Sequence, residues 1–261
     1  MKLRQLSFII CSLFLLSSCG QKLIDYVPLE IDKTLGEQAD NQFSTGQVGV
    51  LLSESEYPEA YEHLNKIKDR ILASGKVRHK DDFEWKLRII EDDSMLNAFC
   101  IPGGYIYVYT GIIKYLDSED ALAGVMAHEI AHADLRHGTS QMLQNLGIGF
   151  VLQSVLGIDN SSLLNLGINL IGLSFSRADE SDADMNSVVY LYPTEYDARG
   201  AKIFFEKIQK DDKNPSIPEF ISTHPNPENR VGRIIMKWKE LGAKKGKKFE
   251  GDYAKLKNNL P

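Results

Sequence analysis

The chain has 261 residues, enough for one sizeable core and not for two, and 43% hydrophobic against 25% charged residues is the balance of a folded domain rather than a disordered one. A formal net charge of −6 argues against nucleic acid as a partner, which requires a basic face to neutralise phosphate. Beyond the N-terminus, no uninterrupted apolar run reaches transmembrane length.

Lys2 and Arg4 precede an apolar run from Leu6 to Leu16, which predicts a signal peptide over residues 1–18. Leu16-Ser17-Ser18-Cys19 is similar to the bacterial lipobox, which implies cleavage before Cys19 and acylation of that residue. Several acyl chains make a stable anchor, since each buried CH₂ contributes about 0.8 kcal/mol. Gly20, rather than an aspartate, follows the cysteine, and this favours the outer membrane of a bacterial cell envelope, facing the periplasm. Cys11 leaves with the signal and Cys19 carries lipid, so Cys100 is the one remaining thiol and no intramolecular disulfide forms. Lying in an apolar, strand-like run, Cys100 reads as a small buried hydrophobe.

Residues 19–54 read as a tether followed by a short helix, with Leu35, Ala39 and Phe43 at helical spacing. The main domain spans 55–240. Its first element, Tyr57 to Ser74, carries the stripe Tyr61, Leu64, Ile67 and Ile71 and stops at Gly75; His63 and His79 read as solvated. Phe83 to Ile90 alternates as a half-buried strand, and Met95 to Ile101 is also strand-like. After the turn Pro102-Gly103-Gly104, the run from Tyr105 to Thr110 returns as a further strand. The expectation is a small antiparallel sheet of about three strands. An edge of it can accept an extended peptide, although tyrosines alternating in and out of a sheet explain Tyr105, Tyr107 and Tyr109 equally well.

Ser118 caps a helix expected to run to about His137, with Gly138 as its stop and Leu122, Val125, Met126 and Ile130 as its core face. It carries His128-Glu129-Ile130-Ala131-His132, the H-E-x-x-H pattern of metalloproteases. On a helix the two imidazoles share a face and converge on one metal ion, while Glu129, about 100° around, stands beside it and can take a proton from a water. His137, nine residues past His128, falls about 180° away and reads as a cation at the helix end. From Gly138 to Ser176 the one charge is Asp159, which predicts two apolar helices split near 157–161. These form either ordinary core or a lid that touches membrane or unfolded substrate.

An open zinc site needs a third protein ligand. Downstream, Arg177, Glu180 and Asp184 share one helical face while Asp179 and Asp182 diverge from it. This makes Glu180 the candidate ligand and Asp184 the group to hold His128 by its other ring nitrogen. Standing alone, the same acids would read as a solvated face. The final 241–261 form a basic tail, either solvated or lying against anionic lipid.

The order Asn97-Ala98-Phe99, Pro102-Gly103-Gly104, His128-Glu129-x-x-His132, Phe175-Ser176-Arg177-x-x-Glu180-x-x-Ala183-Asp184 and His224-Pro225 resembles the gluzincin metallopeptidases that include the CAAX prenyl proteases, HtpX and BepA. The resemblance covers about residues 55 to 240 and is nearest to the small lipoprotein members. It implies an α+β, mainly α zinc-dependent endopeptidase with one Zn²⁺ per chain, ligated by His128, His132 and Glu180, with Glu129 as general base. It also implies that the strand after the glycine turn, from Gly104 and Tyr105, binds substrate with Asn97 near it. His224 then serves as a fourth ligand at rest or stabilises the oxyanion; as a bare residue it is also compatible with a structural loop histidine. Asn226 and Pro227 would start a last helix with Arg230 facing the cleft. No tetratricopeptide repeats follow as they do in BepA, so a built-in docking platform is not expected. The implied substrates are misfolded or misassembled envelope proteins. The rival reading is a non-proteolytic chaperone or assembly factor with a structural metal and clients on 138–176; an intact Glu129 argues against it, because binding alone needs no base.

Overall fold

A computed structural model of the chain describes residues 24–156, 170–171, 174–211, 224 and 229–261. The signal segment, Cys19, Asn226, Pro227 and the expected helix split near 157–161 lie outside the described residues. In chain order come α1 (Leu29–Gln42), which runs into a π-helical turn at Phe43–Gln47, then β1 (Val50–Leu51), α2 (Pro58–Leu72), β2 (Leu87–Glu91), β3 (Ala98–Ile101) and β4 (Tyr105–Tyr109). Then follow α3 (Thr110–Tyr115), α4 (Glu119–Asp134), α5 (His137–Leu156), α6 (Arg177–Leu191), α7 (Gly200–Lys210), α8 (Arg230–Glu240) and α9 (Glu250–Asn258). The fold is α+β and mainly α. No helix among the described residues is long and apolar enough to cross a membrane.

The centre is α4, whose residues are buried from end to end. Its large side chains, Leu122, Val125, Met126 and Ile130, fill the core, and its alanines and Gly124 let neighbouring helices come close. The closest approach is to α7. A Cβ added to Gly124 would lie 1.9 Å from the backbone nitrogen of Ala201, and one on Gly200 would lie 1.9 Å from the carbonyl of Asp120. The stripe Tyr61, Leu64, Ile67 and Ile71 of α2 is buried in the same core, where each such side chain contributes about 1.5–3 kcal/mol.

The sheet has four strands in the order β1-β2-β4-β3 and is mixed rather than antiparallel. β2 and β4 pair in parallel from Leu87↔Ile106 to Ile90↔Tyr109, while β3 and β4 form an antiparallel hairpin from Ala98↔Val108 to Ile101↔Tyr105. Two physical reasons separate this from the expected three-stranded meander. β1 is two residues long and too short to print an alternation. The β3–β4 hairpin inserts β4, not β3, beside β2, so the two neighbours run the same way. The alternation visible from Phe83 becomes strand only at Leu87, because Trp85 sits in the left-handed region at φ 47°.

All five residues of β4 are buried, because the sheet is covered on both faces. Ile106 and Val108 join the main core; Tyr105, Tyr107 and Tyr109 pack under Ile31, Leu35, Ala39 and Phe43 of the α1 segment. The tyrosines are therefore core. The 241–261 segment, read from its lysines as a tail, contains α9, whose Tyr253 and Leu256 are buried and whose Tyr253 hydroxyl donates to the carbonyl of Ile113 at 2.6 Å. Its apolar residues are too few to announce the helix, yet enough to dock it.

One buried acid fastens α1 to the sheet. Asp40 accepts from Lys86 Nζ at 2.9 Å, from Arg88 Nε and Nη2 at 3.1 and 3.0 Å, and from the Tyr107 hydroxyl at 2.7 Å. Burial alone would raise its pKa, but these donors hold it down at about 2. A folded-state pKa depressed from 3.8 contributes stability above that value and loses it as pH falls toward 2. Asp40→Asn should therefore cost about 2 kcal/mol at pH 7, with the deficit shrinking below pH 4. Urea unfolding of both proteins at pH 7 and pH 3 measures this; equal deficits at the two pH values would refute it.

Candidate metal centre

Two helices carry the donors. His128 and His132 lie one turn apart on α4, and Glu180 is in the first turn of α6. The start of α6 is locked by a capping box in which Ser176 accepts from the Asp179 amide and Asp179 accepts from the Ser176 amide. This box places Glu180 against α4. One ligand atom each from His128, His132, Glu180 and His224 lies within 4.8 Å of the others, and all four residues are buried. Glu180 sits at the middle. Its Oε1 is 3.0 Å from His224 Nδ1 and 3.3 Å from His132 Nε2, and its Oε2 is 3.4 Å from His128 Nε2.

A second layer holds these groups. Asp184, one turn past Glu180, places Oδ1 3.1 Å from Nδ1 of His128. Arg230 grips Asp184 with Nε at 2.8 Å and Nη2 at 2.6 Å, while its Nη1 reaches Glu180 Oε2 at 2.9 Å. Arg230, expected to face the cleft, lies buried against these acids and beside the His128 ring, since two buried carboxylates need a fixed cation. Phe175 stacks on the His132 ring with centroids 3.9 Å apart.

Burial pushes the His128 imidazole toward neutrality, but Asp184 and Glu180 outweigh it and raise its pKa. His132 goes the other way, well below the ordinary value, through burial and the nearby charge on His128. Burial would raise Glu180, yet His224, His128 and His132 hold it far below the usual carboxylate range. Glu129 is raised by burial, only partly countered by His224 and His128. Neither of its carboxylate oxygens has a hydrogen-bond partner among the described residues, and His224 Nε2 is 3.6 Å from Oε1.

This arrangement fits a divalent cation. The Nε2 atoms of His128 and His132 face each other at 3.0 Å, with both Nδ1 atoms turned outward to other partners. Glu129, Glu180 and Asp184 are three buried acids against the one guanidinium of Arg230, so two positive charges balance the set. Mixed imidazole and carboxylate donors suit zinc and its first-row neighbours.

Other candidates fall elsewhere. Asn97 is buried at the start of β3, and its Oδ1 accepts from the Ala98 amide at 2.9 Å. Gly104 and Tyr105 open β4, the interior strand whose two sides are already paired, so it cannot receive a peptide. Gly104 packs on Phe83 and Trp85, and Tyr105 lines a cavity of about 400 Å³ with Lys33, Glu37 and Asp40 beside α1. The edge strands of the sheet are β1 and β3, and among the described residues no strand pairs with the outer side of β3. His63, expected in solvent, places Nε2 2.7 Å from the buried Glu119 carboxylate. His137 is the residue that periodicity misplaced. α4 ends at Asp134, Arg136 turns into the left-handed region at φ 60°, and α5 restarts at His137 with Nδ1 3.0 Å from His132 Nδ1. A break between two helices leaves no trace in a wheel drawn through one.

The profile of peptidase family M48 matches residues 58–236. Among curated proteins, the mitochondrial metalloendopeptidase OMA1 of Schizosaccharomyces pombe is 29% identical over 215 residues, 80% of this chain and 61% of that protein. The beta-barrel assembly-enhancing protease of Yersinia pestis is 26% identical over 212 residues, 74% of this chain and 43% of that one. That of Escherichia coli O157:H7 is 31% identical over 157 residues, 55% and 32%. The chain spans less than two thirds of the length of each.

Removing the guanidinium leaves Asp184 and Glu180 buried beside one another. Arg230→Met should destabilise the metal-free protein by about 3–5 kcal/mol. Adding Asp184→Asn should cost less than the sum of the single changes, because the two side chains are in contact. Urea unfolding of the four proteins gives the cycle; strictly additive effects would show that the pair is not coupled.

Proposed function

This chain belongs to peptidase family M48, and from that premise we propose that it is a zinc-dependent endopeptidase of the bacterial cell envelope, anchored through lipid on Cys19 and hydrolysing misfolded or misassembled envelope proteins. The observation that carries the reading is the convergence of His128, His132, Glu180 and His224 donors within 4.8 Å, beside a buried Glu129 whose oxygens have no hydrogen-bond partner among the described residues. The lipobox-like Leu16-Ser17-Ser18-Cys19 supports the anchor, and the names of the bacterial relatives support the envelope.

His128, His132 and Glu180 would hold the zinc, and His224 stands close enough to add a fourth donor. Zinc, when bound, supplies a Lewis acid that acidifies water and polarises a carbonyl. Asp184 accepts the Nδ1 proton of His128 and so turns its Nε2 lone pair into the site. Glu129 takes the proton of the attacking water as the carbon–oxygen bond forms, and delivers it to the amine nitrogen as the peptide bond breaks.

We infer that an extended substrate strand pairs along β3. The Tyr109 amide donates to the carbonyl of Asn97, so Asn97, Phe99 and Ile101 bond inward to β4, and Ala98 and Cys100 turn their backbone groups to the free edge. Asn97 Oδ1 already holds the Ala98 amide, which leaves the Cys100 amide as the donor for an added strand.

Glu129→Gln should keep one zinc per chain while cleavage of unfolded casein falls at least about 100-fold. Metal analysis and a chelator-controlled assay read this, and full cleavage by the variant would sink the assignment. Cys100→Pro removes the edge donor without touching β4 pairing, so KM should rise about tenfold with kcat little changed. Unchanged KM with unchanged melting temperature would move the substrate elsewhere.

A further inference from the structure

We propose that His137 is a positioning residue for the metal site, accepting the Nδ1 proton of His132. The inference rests on the zinc reading above and adds a part to it. The two Nδ1 atoms are 3.0 Å apart, so one donates and the other accepts. If His132 offers its Nε2 lone pair to a metal, its Nδ1 must carry the ring proton. His137 Nδ1 is then the acceptor, and its own proton sits on Nε2. That nitrogen is buried, lacks a hydrogen-bond partner among the described residues, and faces Asp179 Oδ1 at 3.8 Å.

His137 opens α5, and Gln141, one turn further along α5, ties that helix to the start of α6. Asp179 Oδ2 is engaged by the Ser176 amide and hydroxyl and by Gln141 Nε2, at 3.1, 2.7 and 2.9 Å, so the carboxylate is fixed with Oδ1 turned toward His137. The next residue is Glu180. His137 thus supports His132 from α5, the helix that Gln141 bonds to the first turn of α6, where the third donor stands. His128 has the same kind of support from Asp184, an acid on α6, so each histidine of α4 has its Nδ1 held by a side chain of another helix.

The conformation that permits this is local. Had the helix continued past Asp134, His137 would point away from the site; Arg136 at φ 60° turns it back. Arg136 is itself held, with Nε and Nη2 donating to Asp32 at 3.0 and 2.6 Å and Nη1 to the carbonyl of Ile24 at 2.8 Å.

The test compares His137→Leu, which removes the acceptor, with His137→Asn, whose side-chain oxygen can reach the Nδ1 position. The full protein is loaded with zinc, and its release to an excess of chelator is followed with a zinc-sensitive dye, alongside thermal unfolding of the metal-free proteins. The expected result is release about 10–100-fold faster from His137→Leu, with most of the loss recovered in His137→Asn. Release equal to wild type in His137→Leu overturns the proposal. So does equal impairment of the two variants with equally lowered melting temperatures, which marks packing alone. A wild-type protein that takes up no zinc overturns the zinc reading and this inference with it, whereas zinc held by wild type and by His137→Leu alike removes this inference only.

Discussion

A cluster of buried charge is the constraint to which the rest of the molecule answers. Glu129, Glu180, Asp184 and Arg230 are buried within one neighbourhood with His128, His132 and His224. Charges out of water are tolerated only when each is paired and when the pairs are held rigidly. The bidentate grip of Arg230 on Asp184, and its third contact to Glu180, meet the first demand for the two acids of α6. The second is met by the fold. α4 is enclosed by α2, α6, α7 and the sheet, with a backbone-to-backbone contact at Gly124 and Gly200 that no larger residue would allow. A helix this enclosed cannot adjust, so its two imidazoles keep one geometry.

That enclosure also accounts for what could and could not be read from the residues. The common face of His128 and His132, and that of Glu180 and Asp184, follow from the helical period within one or two turns, which needs no knowledge of the fold. The stripe of α2 was legible for the same reason. Where the answer depended on partners distant in sequence, periodicity failed. β4 beside β2 is decided by which strand a hairpin inserts, and the two-residue β1 is decided by its neighbour alone. Arg230 looked like a cleft residue until the acids it must neutralise were counted. His137 was lost to a single left-handed residue, since one positive φ rotates everything after it.

The tyrosines of β4 illustrate how burial on both faces disguises a strand's role. Alternation normally marks one wet face and one dry face, but here the face with Tyr105, Tyr107 and Tyr109 is covered by α1. Polar tips under a helix need partners, and Tyr107 finds Asp40, which in turn draws in Lys86 and Arg88. The acid, the phenol and the two cations thus form one network between α1 and the sheet, which explains a buried carboxylate far from the metal centre. With β4 interior and its hydrogen bonds complete, the free backbone edge shifts to β3, the strand packed against α4.

Residues 24–43 precede the stretch matched by the family profile, yet they are integral to the site's support. Asp32 accepts from Arg136 and from the Thr139 hydroxyl, and the carbonyls of Ile24 and Pro28 accept from the same guanidinium. Arg136 stands 104 positions after Asp32 and is next in the chain to His137, so the segment that leads into α1 helps determine where the α4–α5 junction turns. An arginine in the left-handed region carries a conformational cost, and four acceptor contacts made by one buried guanidinium offset it. The contacts connect in space rather than in sequence: α1 is held on the sheet through Asp40, its Asp32 holds Arg136, and the turn at Arg136 leaves His137 against His132. A segment read as a tether and a short helix also braces the α4–α5 junction beside the candidate metal centre, through hydrogen bonds whose partners lie about a hundred residues apart and leave no periodic signature.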